Sequence, residues 1–232
     1  LRILGAAGAC GMTWQPRPYQ QEAIDATFDY WGEIGGNPLI VIPTGGGKAG
    51  VLGTIMRRLF DDYPGIRIIF RVDSAELVGQ NYEELLSFWP WAPAGVYQAQ
   101  LGRRDTRQQI LFCGIQSVWN KAEIIGAADL IIIDEAHAVP RKSATMYGKF
   151  LAAMRALNSD MRMLGLTATD YRLDSGRLTD GEDKMFDDVA YEVNIRALIE
   201  DGYLTPLVSK ATQTALSTAG VKKAGGEFVA SA

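Results

Sequence analysis

Histidine occurs once in these 232 residues, at His137, and cysteine twice, at Cys10 and Cys113. One histidine excludes a multi-histidine metal centre. The two cysteines stand too far apart for a zinc spacing or a disulfide framework, which fits a reducing compartment and sets cytoplasmic as the expected location. No stretch approaches the ~18 consecutive apolar residues of a membrane span. Surplus positive charge is missing too: 23 Lys and Arg face 27 Asp and Glu, a formal charge of −4. A generally basic surface is thereby excluded, so any nucleic-acid contact has to come from a local patch or from backbone amides. There is no internal repeat. What the chain does have is a hydrophobic content of 47%, enough to bury a real core.

Short β-rich runs recur at "PLIVI" (38–42), "IRIIFRV" (66–72), "ILFCGI" (110–115), "DLIIID" (129–134) and "MRMLGLT" (161–167). Helical spacing of apolar residues fills 18–31, 47–61, 75–88, 117–125 and 143–157 between them. Alternation of near-continuous apolar strands with helices predicts an α/β fold: a central, mostly parallel sheet with helices on both faces and right-handed crossovers. Such sheets bind ligands beyond the carboxyl ends of their strands. After residue 170 the pattern loosens into a polar, turn-rich stretch that reads as a surface excursion, followed by a short helix at "NIRALIEDG" and a strand at "YLTPLVSKATQT". Residues 1–12 read as an extension and 208–232 as a linker or the start of a further domain, leaving 13–207 as the domain itself.

The segment "LIVIPTGGGKAG" (39–50) carries the first chemical signal. Glycines between a strand and a helix let backbone N–H groups converge without a β-carbon in the way, forming a nest for oxyanions. The helix that follows aims its unpaired N–H groups and positive dipole end at the same point, and Lys48 adds a charge. Thr44, Gly45, Gly46, Gly47 and Lys48 thus form a candidate triphosphate cradle; the plain alternative is a glycine-rich turn with an exposed lysine. The strict pattern G-x-x-x-x-G-K-[ST] is broken by Ile42 at its first position and Ala49 at its last.

A second signal is "DLIIIDEAH", a buried strand that ends in two carboxylates, Asp134 and Glu135. One can hold the hydration shell of Mg²⁺ while the other orients or deprotonates a water. A solvated strand end with a capping aspartate is the structural alternative. His137, beside the pair, suits a relay between nucleotide and substrate sites, with an ordinary polar core residue as the alternative.

Taken in order, these segments resemble the first RecA-like domain of the superfamily 2 helicases of the DEAD/DEAH-box type, from about Arg17 to Leu207. "RPYQQEAI" resembles the adenine-reading segment, with Arg17 and Gln20 at the reading positions. "PTGGGK" resembles motif I, "DEAH" motif II, and "LTAT" (166–169) motif III, which makes Thr167 and Thr169 the couplers between ATP state and strand binding. "SAELVGQ" resembles motif Ia, placing Ser74 and Gln80 on a nucleic-acid strand, and "GIQSV" the next strand-contacting motif, with Gly114, Gln116 and Ser117. Ordinary helix capping is the alternative reading of Ser74 and Ser117. "GRRDTRQ" (102–108), the one dense basic run, reads as a solvated loop that could touch a nucleic-acid backbone.

The resemblance implies a RecA-like P-loop NTPase that binds ATP and Mg²⁺ and acts on nucleic acid, DNA before RNA. Lys48, Asp134, Glu135 and His137 would be its catalytic residues, Asp134 would hold the metal, and a second RecA-like lobe would complete the site. No "QxxGRxxR" sequence of such a lobe occurs in these residues, so the chain by itself is expected to hydrolyse ATP weakly. Ala49 stands where the family has a threonine or serine that binds Mg²⁺, which points to weakened turnover. A nucleotide-dependent module that grips nucleic acid without moving is the alternative; a small P-loop kinase would share the cradle but neither "DEAH" nor "LTAT". Asp170 and Asp73 depart from the usual motifs, while Arg172 and Asp174 match the "YRLD" of many relatives.

Overall fold

The computed structural model describes residues 14–72, 74–140, 144–172, 176–181 and 184–206, together with the backbone of 223–224 and 227–228. The extension at 1–12, most of 208–232, Asp73 and Asp174 lie outside the described residues. Ten strands occupy the body of the chain: β1 (Pro38–Val41), β2 (Ile68–Val72), β3 (Ala94–Gln98), β4 (Arg103–Arg104), β5 (Ile110–Gly114), β6 (Leu130–Ile133), β7 (Arg162–Thr167), β8 (Tyr171–Arg172), β9 (Gly176–Arg177) and β10 (Asp188–Glu192). Eight of them form one sheet in the order β10-β1-β7-β6-β2-β5-β3-β4, parallel throughout except for the short antiparallel edge pair β3–β4.

Strand alternation divides the core in two. Ile40, Ile42, Ile68, Phe70, Phe112, Ile132 and Leu166 point to one face, where α1 (Pro18–Glu33), α2 (Lys48–Asp62) and α3 (Ala75–Phe88) cover them with Ile24, Leu52, Ile55 and Val78. Leu39, Ile69, Leu111, Ile131, Ile133 and Met163 point to the other, under α4 (Ile115–Val118), α5 (Ala122–Ile125) and α6 (Met146–Leu157). Such two-sided burial is why the strands read as unbroken apolar runs. Helix signals hold locally as well. Pro18 opens α1 at a position whose N–H would be unpaired anyway, and the Thr145 hydroxyl accepts from Gly148 N at 3.2 Å to cap α6.

Three expectations change. The helix expected over 117–125 is two short ones, α4 and α5, interrupted at 119–121. The stretch after 170 is more than a surface excursion, because it supplies β10, which pairs in parallel with β1 at the sheet edge. Finally, Tyr203–Pro206 is not strand but turn and irregular chain, following α7 (Ile195–Glu200); the rest of that expected strand is outside the described residues.

Gly165, in the middle of β7, has no room for a side chain: a β-carbon there would lie 2.5 Å from Phe186 Cζ and 2.7 Å from Leu39 Cδ1. Both neighbours are fully buried. Gly165→Ala is therefore expected to destabilise the domain by about 1–3 kcal/mol, read as a lowered denaturant midpoint at an unchanged slope. No helix among the described residues is long and apolar enough to cross a membrane.

Candidate nucleotide site and nucleic-acid rim

The order β1-β7-β6 places the ends of three motif-bearing strands side by side. After β1 the chain turns through Thr44–Gly47 into α2. Gly45 and Gly47 have φ of 82° and 73°, a left-handed conformation that glycine adopts freely. Gly46 is enclosed: a β-carbon there would sit 2.5 Å from Ile42 Cγ2 and 2.9 Å from the Pro43 carbonyl. Gly47 caps α2 without a side-chain partner, and the N–H groups of Gly47, Lys48 and Ala49 have no hydrogen-bond partner among the described residues. Unpaired donors at the start of a 15-residue helix, beside an ammonium, have the chemistry of an oxyanion cradle.

The Lys48 side chain is 12% exposed and its Nζ lies 2.5 Å from Glu135 Oε1. Glu135 stands just past β6 at φ 48°, the sole non-glycine with positive φ among the described residues. Its backbone N–H donates to Asp134 Oδ1 at 2.9 Å. Strand alternation alone would separate the two carboxylates; the left-handed turn at Glu135 also redirects its side chain toward the glycine loop. Conformations of this kind cost of order 1 kcal/mol or more and cluster at functional sites.

Glu135 Oε2, buried and without a hydrogen bond, is 3.3 Å from His137 Nδ1. His137 Nδ1 also lies 2.9 Å from Thr167 Oγ1. The Thr167 hydroxyl donates to the Thr169 carbonyl at 2.7 Å and accepts from Thr169 N at 3.2 Å. Since its single proton is committed to Thr169, Thr167 can only accept from histidine, so Nδ1 carries a proton. A continuous line of polar contacts thus joins Lys48, Glu135, His137, Thr167 and Thr169. Thr167 is fully buried and its carbonyl accepts from Ile42 N at 3.0 Å, tying "LTAT" to the strand that enters the glycine loop.

On the outer side of the loop, Gln20 Nε2 and the Tyr19 hydroxyl both donate to the Gly46 carbonyl, at 2.9 and 2.8 Å. Gln20 Oε1 accepts from Arg17 N at 2.9 Å. Gln20, 4% exposed, therefore braces the glycine loop here, and a β-carbon at Gly47 would collide with its Nε2. Arg17 stacks on Tyr203, 5.2 Å from the ring centroid, and Tyr203 packs against Tyr19 at 5.2 Å. In the sequence Tyr19 is marked only by its place inside "RPYQ". Tyr203, 184 positions further along, is not marked at all.

Among the described residues, no group of three or more His, Cys, Asp or Glu could hold a metal. A Mg²⁺ ion commonly takes one or two carboxylates and completes its shell with phosphates and water, which Asp134, bonded to the backbone of the Glu135 that reaches Lys48, fits. Ala49, half-buried at the start of α2, offers no oxygen from its side chain.

The other motifs line the ends of β2, β5 and β3. Ser74 accepts from Leu77 N at 3.2 Å and caps α3, while Gln80 and Gln116 are exposed. Ser117 is not a cap, because α4 starts earlier at Ile115. Its hydroxyl donates to Gln98 Oε1 at 3.0 Å and accepts from Ala99 N at 3.1 Å. Within the basic run Arg103 is held by Asp105 at 2.8 Å and by the Tyr82 ring, so this guanidinium is already engaged. Cys113 is fully buried in β5; burial pushes its thiol up to about 12, with Arg71 opposing, which makes it packing rather than a nucleophile.

A family model described as "Type III restriction enzyme, res subunit" matches residues 13–172. The chain is similar to a type I restriction enzyme EcoAI endonuclease subunit of Escherichia coli, 28% identical over 201 residues that cover 82% of this chain and 23% of the relative. Similarity extends to a DEAD-box ATP-dependent DNA helicase, Fancm, of Drosophila melanogaster, 27% identical over 67% of this chain and 11% of the relative. The chain thus spans less than a quarter of either. Among solved structures, a nuclease-deletion mutant of the Type ISP restriction-modification enzyme LlaGI with a DNA substrate mimic superposes at a TM-score of 0.60, with 17% identity, over 82% of this chain and 21% of that one. The UvsW helicase of bacteriophage T4 superposes at 0.59, with 18% identity, over 77% and 60%. At such identities the structures speak for the fold, which is the RecA-like α/β fold expected.

Proposed function

The chain belongs to the family described as the type III restriction enzyme res subunit, and from that premise we propose that it is the ATP-binding lobe of a DNA-dependent helicase or translocase. One observation carries the reading. The lysine of the glycine loop and the glutamate of "DEAH", 87 positions apart in sequence, meet at 2.5 Å beside unpaired helix N–H groups. In this reading the amides of Gly45–Lys48 and the Lys48 ammonium take the phosphates, Asp134 faces Mg²⁺, and Glu135 orients the attacking water. Arg17, with the Tyr19–Tyr203 pair, flanks the purine side, and Gln20 holds the loop. When bound, Mg²⁺ would neutralise charge on the transferred phosphoryl group.

Without nucleotide, Lys48 and Glu135 neutralise one another. Phosphates compete for the ammonium, and Glu135, once released, is free to act as a base. Its Oε2 is already beside His137, whose Nδ1–H is donated to Thr167 Oγ1, so a change at the carboxylate would be passed to the turn after β7. The rim at Ser74, Gln80 and Gly114–Gln116 would then feel the nucleotide state as a population shift rather than through direct contact. A rim of small polar groups and amides, with little free positive charge, suits contacts to a nucleic-acid backbone.

The reading is tested in the longest natural chain that contains these residues, by measuring ATP hydrolysis with and without DNA. Stimulation by DNA is expected; hydrolysis indifferent to every polynucleotide tried would overturn the proposal. Ala49 gives a second measurement. Ala49→Ser restores the hydroxyl that the family resemblance expects at this position, and Mg²⁺-dependent turnover is expected to rise by roughly tenfold, about the worth of one hydrogen bond to a charged group. Equal rates would show that water already does this work. The same comparison weighs the rival reading, a module that grips nucleic acid and hydrolyses little.

A further inference from the structure

We propose that Gln98 is an additional residue of the nucleic-acid rim: its carbonyl oxygen locks the Gly114–Ser117 turn in place, and its carboxamide N–H groups are offered to a phosphate oxygen of the bound strand. The inference rests on the nucleic-acid reading above.

Gln98 ends β3 and is 4% exposed. Its Oε1 accepts from Gly114 N at 3.2 Å and from the Ser117 hydroxyl at 3.0 Å. The direction of the carboxamide follows from its partners, since a backbone N–H can only meet the oxygen. Nε2 bonds to neither, and it has no partner among the described residues. Nε2 is not among the buried atoms left without a partner, so its N–H groups reach the surface, where they are open to an acceptor from outside.

Its neighbours say which acceptor that is. The strand order β2-β5-β3 sets the ends bearing Ser74, Gly114 and Gln98 in a row. Gly114 and Gln98 are fitted to each other: a β-carbon at 114 would lie 2.7 Å from Gln98 Oε1. Ser117 spends its proton on Gln98 and a lone pair on Ala99 N, so the serine belongs to the brace and Gln98 has the free donors. Opposite Gln98 on the next strand stands Arg103, which is taken by Asp105, so the free donors at this point are those of Gln98. Free N–H donors at the edge of a turn of small residues recognise an anionic oxygen, and a polynucleotide backbone supplies such oxygens in a row.

The test uses the longest natural chain containing these residues, a fluorescently labelled single-stranded oligonucleotide, and the melting temperature as a control on folding. Gln98→Glu keeps an oxygen for Gly114 and Ser117 but replaces the donors with negative charge. Its affinity is expected to fall roughly ten- to hundredfold at low salt, with a deficit that narrows as salt screens the repulsion. A purely structural role would not produce that salt dependence. Parental affinity in Gln98→Glu at an unchanged melting temperature overturns the inference. Gln98→Met, uncharged and similar in length, keeps the question open to measurement if the carboxylate prevents folding: parental affinity there overturns it equally. Should the parent itself bind no oligonucleotide, the functional reading falls and takes this one with it, whereas a binding parent with an indifferent variant sinks this inference alone.

Discussion

Lys48→Ala is expected to lower nucleotide affinity by about two orders of magnitude, equivalent to about 2.7 kcal/mol. Lys48 opens α2 and is mostly buried, and its ammonium lies 2.5 Å from one carboxylate oxygen. Its charge is therefore held close to the loop rather than in free solvent. Charge-assisted hydrogen bonds are roughly twice as strong as neutral ones, and two phosphate oxygens would share this ammonium. The helix N–H groups of Gly47–Ala49 remain in the variant, so weak binding should persist. Titration of a fluorescent ATP analogue against parent and variant reads the effect directly, and parental affinity in Lys48→Ala would remove the cradle assignment. The fold should tolerate the change, because the stranded Glu135 still has His137 Nδ1 at 3.3 Å.

Glu135→Gln should separate binding from chemistry. General-base catalysis is worth about 10²–10⁴ in rate, so DNA-stimulated hydrolysis is expected to fall by that factor. Affinity should move the other way. A neutral carboxamide holds the Lys48 ammonium less tightly than the carboxylate does, and phosphates no longer have to displace an ion pair. We expect ATP to bind as tightly as to the parent or several-fold more tightly. Single-turnover kinetics alongside equilibrium titration distinguish the two effects. Turnover within a few-fold of parent would show that another group positions the water. The backbone should accept the change at modest cost, since glutamine is no worse suited than glutamate to a φ of 48°.

How far the sequence could be read is clearest strand by strand. "PLIVI", "DLIIID" and "MRMLGLT" announced themselves because both faces of these central strands are buried, leaving no polar alternation to confuse them. β3 and β10 did not. "AGVYQ" begins with small residues after two prolines, and "DVAYE" lies in an acidic, turn-rich stretch, yet each finds its place by pairing with a distant strand, β5 and β1 respectively. Tertiary pairing of that kind overrides local propensity. The helix over 117–125 failed for a local reason: the chain turns at 119–121, and the Lys121 carbonyl starts a new set of bonds to Ile124 and Ile125.

In the candidate site, the residues legible in advance were those whose chemistry is carried by a short contiguous motif. Lys48, Glu135, His137 and Thr167 come from three such segments, and the adjacency of β1, β7 and β6 brings them together. Residues that brace the motifs were harder to find. Gln98 is a single polar residue at a strand end, and Tyr203 meets Tyr19 only through the fold. Ser117 shows the opposite case, a residue whose motif suggests an outward contact and whose hydroxyl is spent inward.

The path of the chain after α7 has a mechanical consequence. Leu198 and Leu204 lean on the glycine turn, the first 3.7 Å from where a β-carbon of Gly46 would be and the second 3.3 Å from that of Gly45, while Tyr203 clasps Arg17. Residues 203–206 are thus held against the wall of the glycine turn. A displacement of Leu204 would therefore be felt at Gly45, and a change in the glycine turn would be felt at Leu204.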